Sequence, residues 1–172
     1  MSELLTPGGQ LEERTAGQVI AAQVGWQQDT LNVAAGAPQG VTPFGYVTPD
    51  GAARVVYRDV NANITELYLT PGQHWQSDTL NVAAGGAPQA ASAPFGYVTP
   101  DGAARVIYQD VNSNITDIYL APGRPWVFEN LSGVAGGAPQ AASAPSGYVT
   151  PDGTARVIYQ DVNNNITELH LT

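Results

Sequence analysis

An all-β fold is predicted for this 172-residue chain: a β-propeller built from three four-stranded blades, with the ring completed by oligomerisation. Three observations predict it. The block Gly-Tyr-Val-Thr-Pro-Asp-Gly starts at Gly45, Gly96 and Gly147, 51 residues apart each time, and self-similarity at a fixed period identifies a repeat architecture. Runs rich in Val, Ile and Tyr alternate with Pro, Gly and Asn clusters, as strands alternate with turns. No window carries a helical period.

The first strand of a unit is read over Phe44 to Thr48. Pro49-Asp50-Gly51 is a turn, because Pro presets φ and Gly accepts positive φ. The second strand covers Arg54 to Asp59, Val60-Asn61-Ala62 makes a hairpin loop, and the third strand covers Ile64 to Leu69 before Thr70-Pro71-Gly72. A fourth strand is expected from Trp75 to about Val82, followed by a Gly-Ala-Pro-Gln loop. Four strands in a unit of roughly fifty residues suit a propeller blade. The repeats span 26–172, opening on a fourth strand (Trp26 to Val33) and closing on a third (Ile166 to Leu171). Closed propellers have roughly four to eight blades, so a homodimer forming a six-bladed ring is expected, with Trp26 to Val33 of one chain completing the last blade of the other. A trimeric ring and a fragment of a longer chain are the alternatives. Residues 1–25 form an N-terminal segment, either a degenerate blade remnant or a short helix at 10–22.

Charge and composition exclude several functions. The formal net charge is −9 and all six basic residues are Arg; nucleic acid is an unsuitable partner for such a surface, and no polybasic membrane patch exists. There is no Cys, which removes disulfides and thiolate chemistry. No apolar run reaches the length of a membrane span, and the Met1 to Leu5 stretch shows no signal-peptide pattern. The compartment stays open between cytoplasm and a leaderless exit route.

No catalytic constellation is visible. His74 and His170 stand at non-equivalent repeat positions and no metal-spaced His cluster exists, so the chain is read as a non-enzyme without cofactor or metal. Asp59-x-Asn61-x-Asn63 imitates the start of a calcium loop, but Ile64 and Thr70 stand where that loop needs Gly and Glu. A hairpin held by Asx side chains fits the pattern better. The Asn-Ile-Thr triplets at Asn63, Asn114 and Asn165 read as strand starts rather than glycosylation sites.

Arg54, Arg105 and Arg156 share one repeat position, and each is followed twelve residues later by an acid, Glu66, Asp117 and Glu168. If Arg58 pairs with Ile64, then Arg54 faces Tyr68 across the hairpin and Glu66 is its diagonal neighbour on the same face. A register shifted by one would separate them. Such a pair either locks the blade as an ion pair or grips a polyol, the guanidinium donating to hydroxyls and the carboxylate accepting from them. A repeated Trp (Trp26, Trp75, Trp126) supplies either packing or a flat apolar platform.

The segment from Arg54 through Tyr57, Asn61 and Ile64 to Glu66, with its copies Arg105–Asp117 and Arg156–Glu168, resembles the repeat of the fucose-binding six-bladed propeller lectins of fungi and soil bacteria. The resemblance covers about 26–172. It implies that Arg54 with Glu66, Arg105 with Asp117 and Arg156 with Glu168 hold a sugar, and that Trp26, Trp75 and Trp126 stack on it from the neighbouring blade. Two departures bear on specificity. Asp117 is one methylene short, and Leu69, Leu120 and Leu171 stand where some members carry an aromatic residue. The leading expectation is therefore a multivalent lectin for fucose or a related sugar, with a self-assembling scaffold or protein-interaction module as the alternative.

Overall fold

A computed structural model describes residues 25–172. The expectations for the N-terminal blade remnant and the helix at 10–22 lie outside the described residues. Two four-stranded antiparallel meanders and one three-stranded one follow in chain order. They are β1 (Gly40–Val47), β2 (Ala53–Asp59), β3 (Ile64–Leu69) and β4 (Gln76–Thr79); β5 (Phe95–Val98), β6 (Ala104–Gln109), β7 (Ile115–Leu120) and β8 (Val127–Asn130); and β9 (Ser146–Val149), β10 (Ala155–Gln160) and β11 (Ile166–His170). The third sheet has three strands, and no segment of the described chain pairs with the outer edge of β11. No helix among the described residues is long and apolar enough to cross a membrane.

The fourth strand departs from expectation. β4 ends at Thr79 and the chain turns at once into the helical turn α2 (Leu80–Ala83). Matching turns are α1 (Leu31–Ala34) before β1 and α3 (Leu131–Val134) after β8. A strand sends successive side chains to opposite faces, yet Leu80 and the adjacent Asn81 are both buried. The turn allows this. Asn81 Oδ1 accepts from the Ile64 N–H at 2.5 Å, and its Nδ2 donates to the Pro88 carbonyl at 2.7 Å. Of the strand expected from Trp26 to Val33, residues 26–30 carry no regular structure and Leu31 to Val33 lie in α1, since a strand needs a neighbour for its backbone groups.

The Asp-Val-Asn-x-Asn stretches form the hairpins. Asp59 Oδ1 accepts the Asn61 and Asn63 N–H groups at 2.8 and 2.9 Å, and Oδ2 accepts the Thr65 hydroxyl at 3.0 Å. Asp110 and Asp161 repeat the pattern. Both carboxylate oxygens thus serve their own loop, an Asx turn rather than a cation cradle.

The core lies between sheets. Val56, Ile64 and Leu80 of the first blade pack on Val106, Tyr108 and Ile118 of the second. Ile107 and Ile115 of the second pack on Val157, Tyr159 and Leu169 of the third. Tyr57, Tyr108 and Tyr159 donate their hydroxyls to the carbonyls of Pro38, Pro88 and Pro139 at 2.6, 2.6 and 2.8 Å, pinning each Gly-Ala-Pro-Gln loop. Gly96 and Gly147 allow the Tyr46 and Tyr97 rings of the preceding blade to lie against the backbone; a Cβ on Gly96 would meet Tyr46 Cδ1 at 2.4 Å.

Candidate functional site

Each blade carries its Arg–acid pair on the face that looks toward the next blade. The strand pairing sets Arg58 opposite Ile64 and Arg54 opposite both Tyr68 and Tyr46. Glu66 therefore shares a face with Arg54, and Arg54 Nη1 donates to Glu66 Oε2 at 2.8 Å. Two further side chains complete the arrangement. The Tyr46 hydroxyl donates to Glu66 Oε1 at 3.2 Å. Arg54 Nε donates to Thr48 Oγ1 at 3.2 Å, while Thr48 donates its own proton to Asp50 at 2.6 Å. The guanidinium carbon lies 5.7 Å from the Tyr68 ring centroid, within cation–π range.

The second and third blades repeat the pair between Arg105 and Asp117 and between Arg156 and Glu168. In the third blade Tyr148 donates to Glu168 at 2.7 Å and Arg156 Nε to Thr150 at 3.4 Å. The second blade lacks both supporting bonds, and Arg105 Nε and Asp117 Oδ1 are buried without partners.

Electrostatics divides the three acids. Glu66 and Asp117 side chains are 0% exposed, whereas Glu168 is 33% exposed because no blade covers it. Burial pushes the Glu66 carboxyl up against the pull of Arg54, and pushes Asp117 up to about 6 against the pull of Arg105. Glu168 moves down instead, through the Tyr148 hydrogen bond first and Arg156 after it. The sign of the shift thus follows whether a neighbouring blade covers the acid.

Open clefts adjoin the two covered pairs. A cavity of about 500 Å³ between the first and second blades is lined by Thr48, Asp50 and Arg54 on one side and Ala104, Leu120 and Arg124 on the other. One of about 300 Å³ between the second and third is lined by Tyr97, Arg105 and Asp117 facing Ala155, Leu169 and His170. Arg54 and Arg105 reach these clefts with side chains 11% and 13% exposed. No Trp lines either cleft. Trp126 packs against the first inter-blade core, Trp75 is half-buried, and Trp26 is fully exposed. Tyr46, Thr48 and Arg124 were missed by sequence reasoning, which placed Tyr68 opposite Arg54 but gave it no part in the site. For Tyr46 the available signal was cross-strand pairing with Arg54, and for Tyr46 and Thr48 alike it was recurrence at the same repeat positions.

The fold is that of solved β-propeller lectin structures. A fucose lectin from Kordia zhangzhouensis, in complex with methyl-fucoside, is similar with a TM-score of 0.51 and 16% identity, over 74% of this chain and 90% of that one. A variant of AofleA from Arthrobotrys oligospora with three arginines changed to alanine gives a TM-score of 0.60 and 16% identity, over 81% of this chain and 41% of that one. A variant of the Aleuria aurantia lectin with alpha-methyl-L-fucoside gives 0.53 and 16%, over 78% and 48%. The chain spans less than half of the Arthrobotrys and Aleuria chains. No family model matches it, and no curated protein does.

Proposed function

We propose that this protein is a non-catalytic, multivalent lectin that takes fucose or a related sugar in the clefts between its blades. One observation carries the reading: Arg54 and Arg105, each fixed by a buried carboxylate, stand in the walls of clefts of about 500 and 300 Å³. Those volumes fall at the lower end of ligand pockets, roughly 300–1,000 Å³. Arg54 uses Nη1 and Nε on protein partners, leaving Nη2 to donate to a hydroxyl. Asp50 in the same wall accepts from hydroxyls, and Leu120 opposite offers an apolar surface. Two of the three solved structures are named as lectins, each in complex with a fucoside.

Multivalency follows from the repeat. The outward face of the third blade carries Arg156, Glu168 and Tyr148, and Ile166 there is 75% exposed where Ile64 and Ile115 are 0% exposed. Trp26-Gln27-Gln28-Asp29-Thr30 of a second copy has almost the sequence of Trp75–Thr79. Pairing as β4 does with β3 sets Thr30, Asp29, Gln28 and Gln27 of that copy opposite Thr167, Glu168, Leu169 and His170. This closes a six-bladed dimer and covers the third pair, raising avidity for clustered glycans.

The competing reading is a propeller scaffold or protein-interaction module without sugar binding. It draws on the full burial of Glu66 and Asp117 and on the absence of Trp from the cleft walls. The Arg54→Ala, Arg105→Ala, Arg156→Ala triple variant separates the two. Loss of retention on immobilised L-fucose with an intact β-sheet circular-dichroism spectrum supports the lectin; wild-type protein that is never retained supports the scaffold.

A further inference from the structure

A cavity of about 520 Å³ lies open on the first blade, and Leu31, Val55, Tyr57 and Leu67 form its apolar wall. Leu80, Val106, Tyr108 and Ile118 hold the same positions one repeat later, and they share a cluster with the fully buried Ile64. The first-blade cavity therefore has the walls of a socket for an isoleucine at the Ile64 position. Ile166 is the repeat copy of Ile64 without such a socket, and it is 75% exposed. The other opening is the cleft of about 300 Å³ between the second and third blades, whose apolar end is formed by Leu131, Ala135, Leu169 and Leu171. One repeat earlier, Leu80, Ala84 and Ile118 hold the positions of the first three, in the cluster that Trp126 packs against. Trp26 is the repeat copy of Trp126 that stands fully exposed.

A second copy of the chain supplies both side chains. The register of β3 with β4 sets Gln27 of that copy opposite His170, and so sets its Trp26 opposite Leu171, which lines the cleft. The backbone agrees. Ile64 donates its N–H to Asn81 at 2.5 Å, and Ile115 donates its own to Ser132 at 2.9 Å. Asn32 of the second copy holds the equivalent position for the Ile166 N–H. We infer that the 520 Å³ cavity takes Ile166 of a second copy, and that the apolar end of the 300 Å³ cleft takes that copy's Trp26. This rests on the dimeric ring proposed above and names the side chains that hold it together. Two-fold symmetry makes each contact twice. A buried indole removes about 150–250 Å² from water, and aromatic anchors seated in pockets dominate association. Trp26 is thus an anchor between copies and not a sugar platform. Trp126 in its packed position leaves Arg54 in the wall of an open cleft, and Trp26 leaves Arg105 the same way.

Analytical ultracentrifugation of the intact chain over a range of concentrations, for wild type, Trp26→Ala and Ile166→Ser, tests this without any sugar. Both side chains are exposed in the single chain, so both variants keep the fold, and circular dichroism at low concentration checks that they do. Wild type is expected to dimerise, and each variant to raise the dimer Kd at least about tenfold. Acrylamide is expected to quench the tryptophan fluorescence of the wild-type dimer less than that of the dilute monomer, and Trp26→Phe to shrink that difference. A wild-type dimer whose Kd rises less than about tenfold in either variant, or whose Trp26 stays as open to acrylamide as in the monomer, overturns the inference alone. Wild type that stays monomeric at every concentration overturns the ring closure and this inference with it.

Discussion

Gly96→Ala tests how tightly the site is coupled to blade packing. The added Cβ would lie 2.4 and 2.5 Å from Tyr46 Cδ1 and Cε1 and 3.2 Å from Cγ. Carbon atoms in contact sit about 3.5–4.0 Å apart, so the ring must retreat by roughly 1 Å. Tyr46 packs on the first inter-blade core and donates to Glu66, so it has little room. Overpacking costs about 1–3 kcal/mol. Loosening a hydrogen bond to a buried charged group costs about 1.5–3 kcal/mol more. Both act through one side chain, so they do not add fully, and a loss of about 3 kcal/mol is expected. Urea unfolding reads this as a lower midpoint at unchanged slope. Gly45→Ala is the control at low protein concentration, because its Cβ meets only the Arg54 carbonyl, at 3.8 Å. A Gly96→Ala protein within about 0.5 kcal/mol of wild type refutes the coupling.

Three other expectations concern assembly, pH and a buried amide. At high concentration Gly45→Ala is expected to lose the dimer, because Tyr148 of a second copy would meet this position as Tyr46 meets Gly96; sedimentation reads it, and an unaltered mass removes the proposed ring closure. Asp117 has its folded pKa, about 6, above the value of about 3.9 for an unfolded chain, so the folded state holds the proton more tightly. The stability this group contributes is present at low pH and lost as pH rises through about 6. Wild type should therefore lose about 1 kcal/mol relative to Asp117→Asn between pH 5 and 7, read by urea melts at each pH, and a constant difference contradicts the shift. Asn81→Ala strands the buried Ile64 N–H, so a loss of about 1–3 kcal/mol is expected in thermal or urea unfolding, and near-neutrality contradicts the role given to Asn81.

Much of the fold was legible because strand and turn chemistry repeat. Ile64–Leu69 was bounded correctly since Asn63 and Thr70-Pro71-Gly72 punctuate it. The Arg54–Glu66 neighbourhood was legible because hairpin length sets register, and register decides which residues share a face. The helical turn at Leu80–Ala83 was not, because a four-residue turn has no period to detect. It is held by Asn81 reaching Ile64, Ala87 and Pro88, contacts set by tertiary structure. Tyr46 and Thr48 were overlooked as ordinary strand residues until the pairing of β1 with β2 placed them beside Arg54. The Trp residues are ambiguous in the sequence for the opposite reason. A flat apolar ring suits a sugar platform and a core equally, and Trp126 takes the core.

The central claim is sugar binding between blades, and a calorimetric titration of the assembled protein with L-fucose tests it most directly, with mannose and galactose as controls. The account expects saturable binding of L-fucose at two to three sites per chain, matching the three Arg–acid pairs, and its loss in the triple Arg-to-Ala variant. No saturable heat with any of the three sugars contradicts it and leaves the Arg–acid pairs as structural ion pairs within a propeller scaffold.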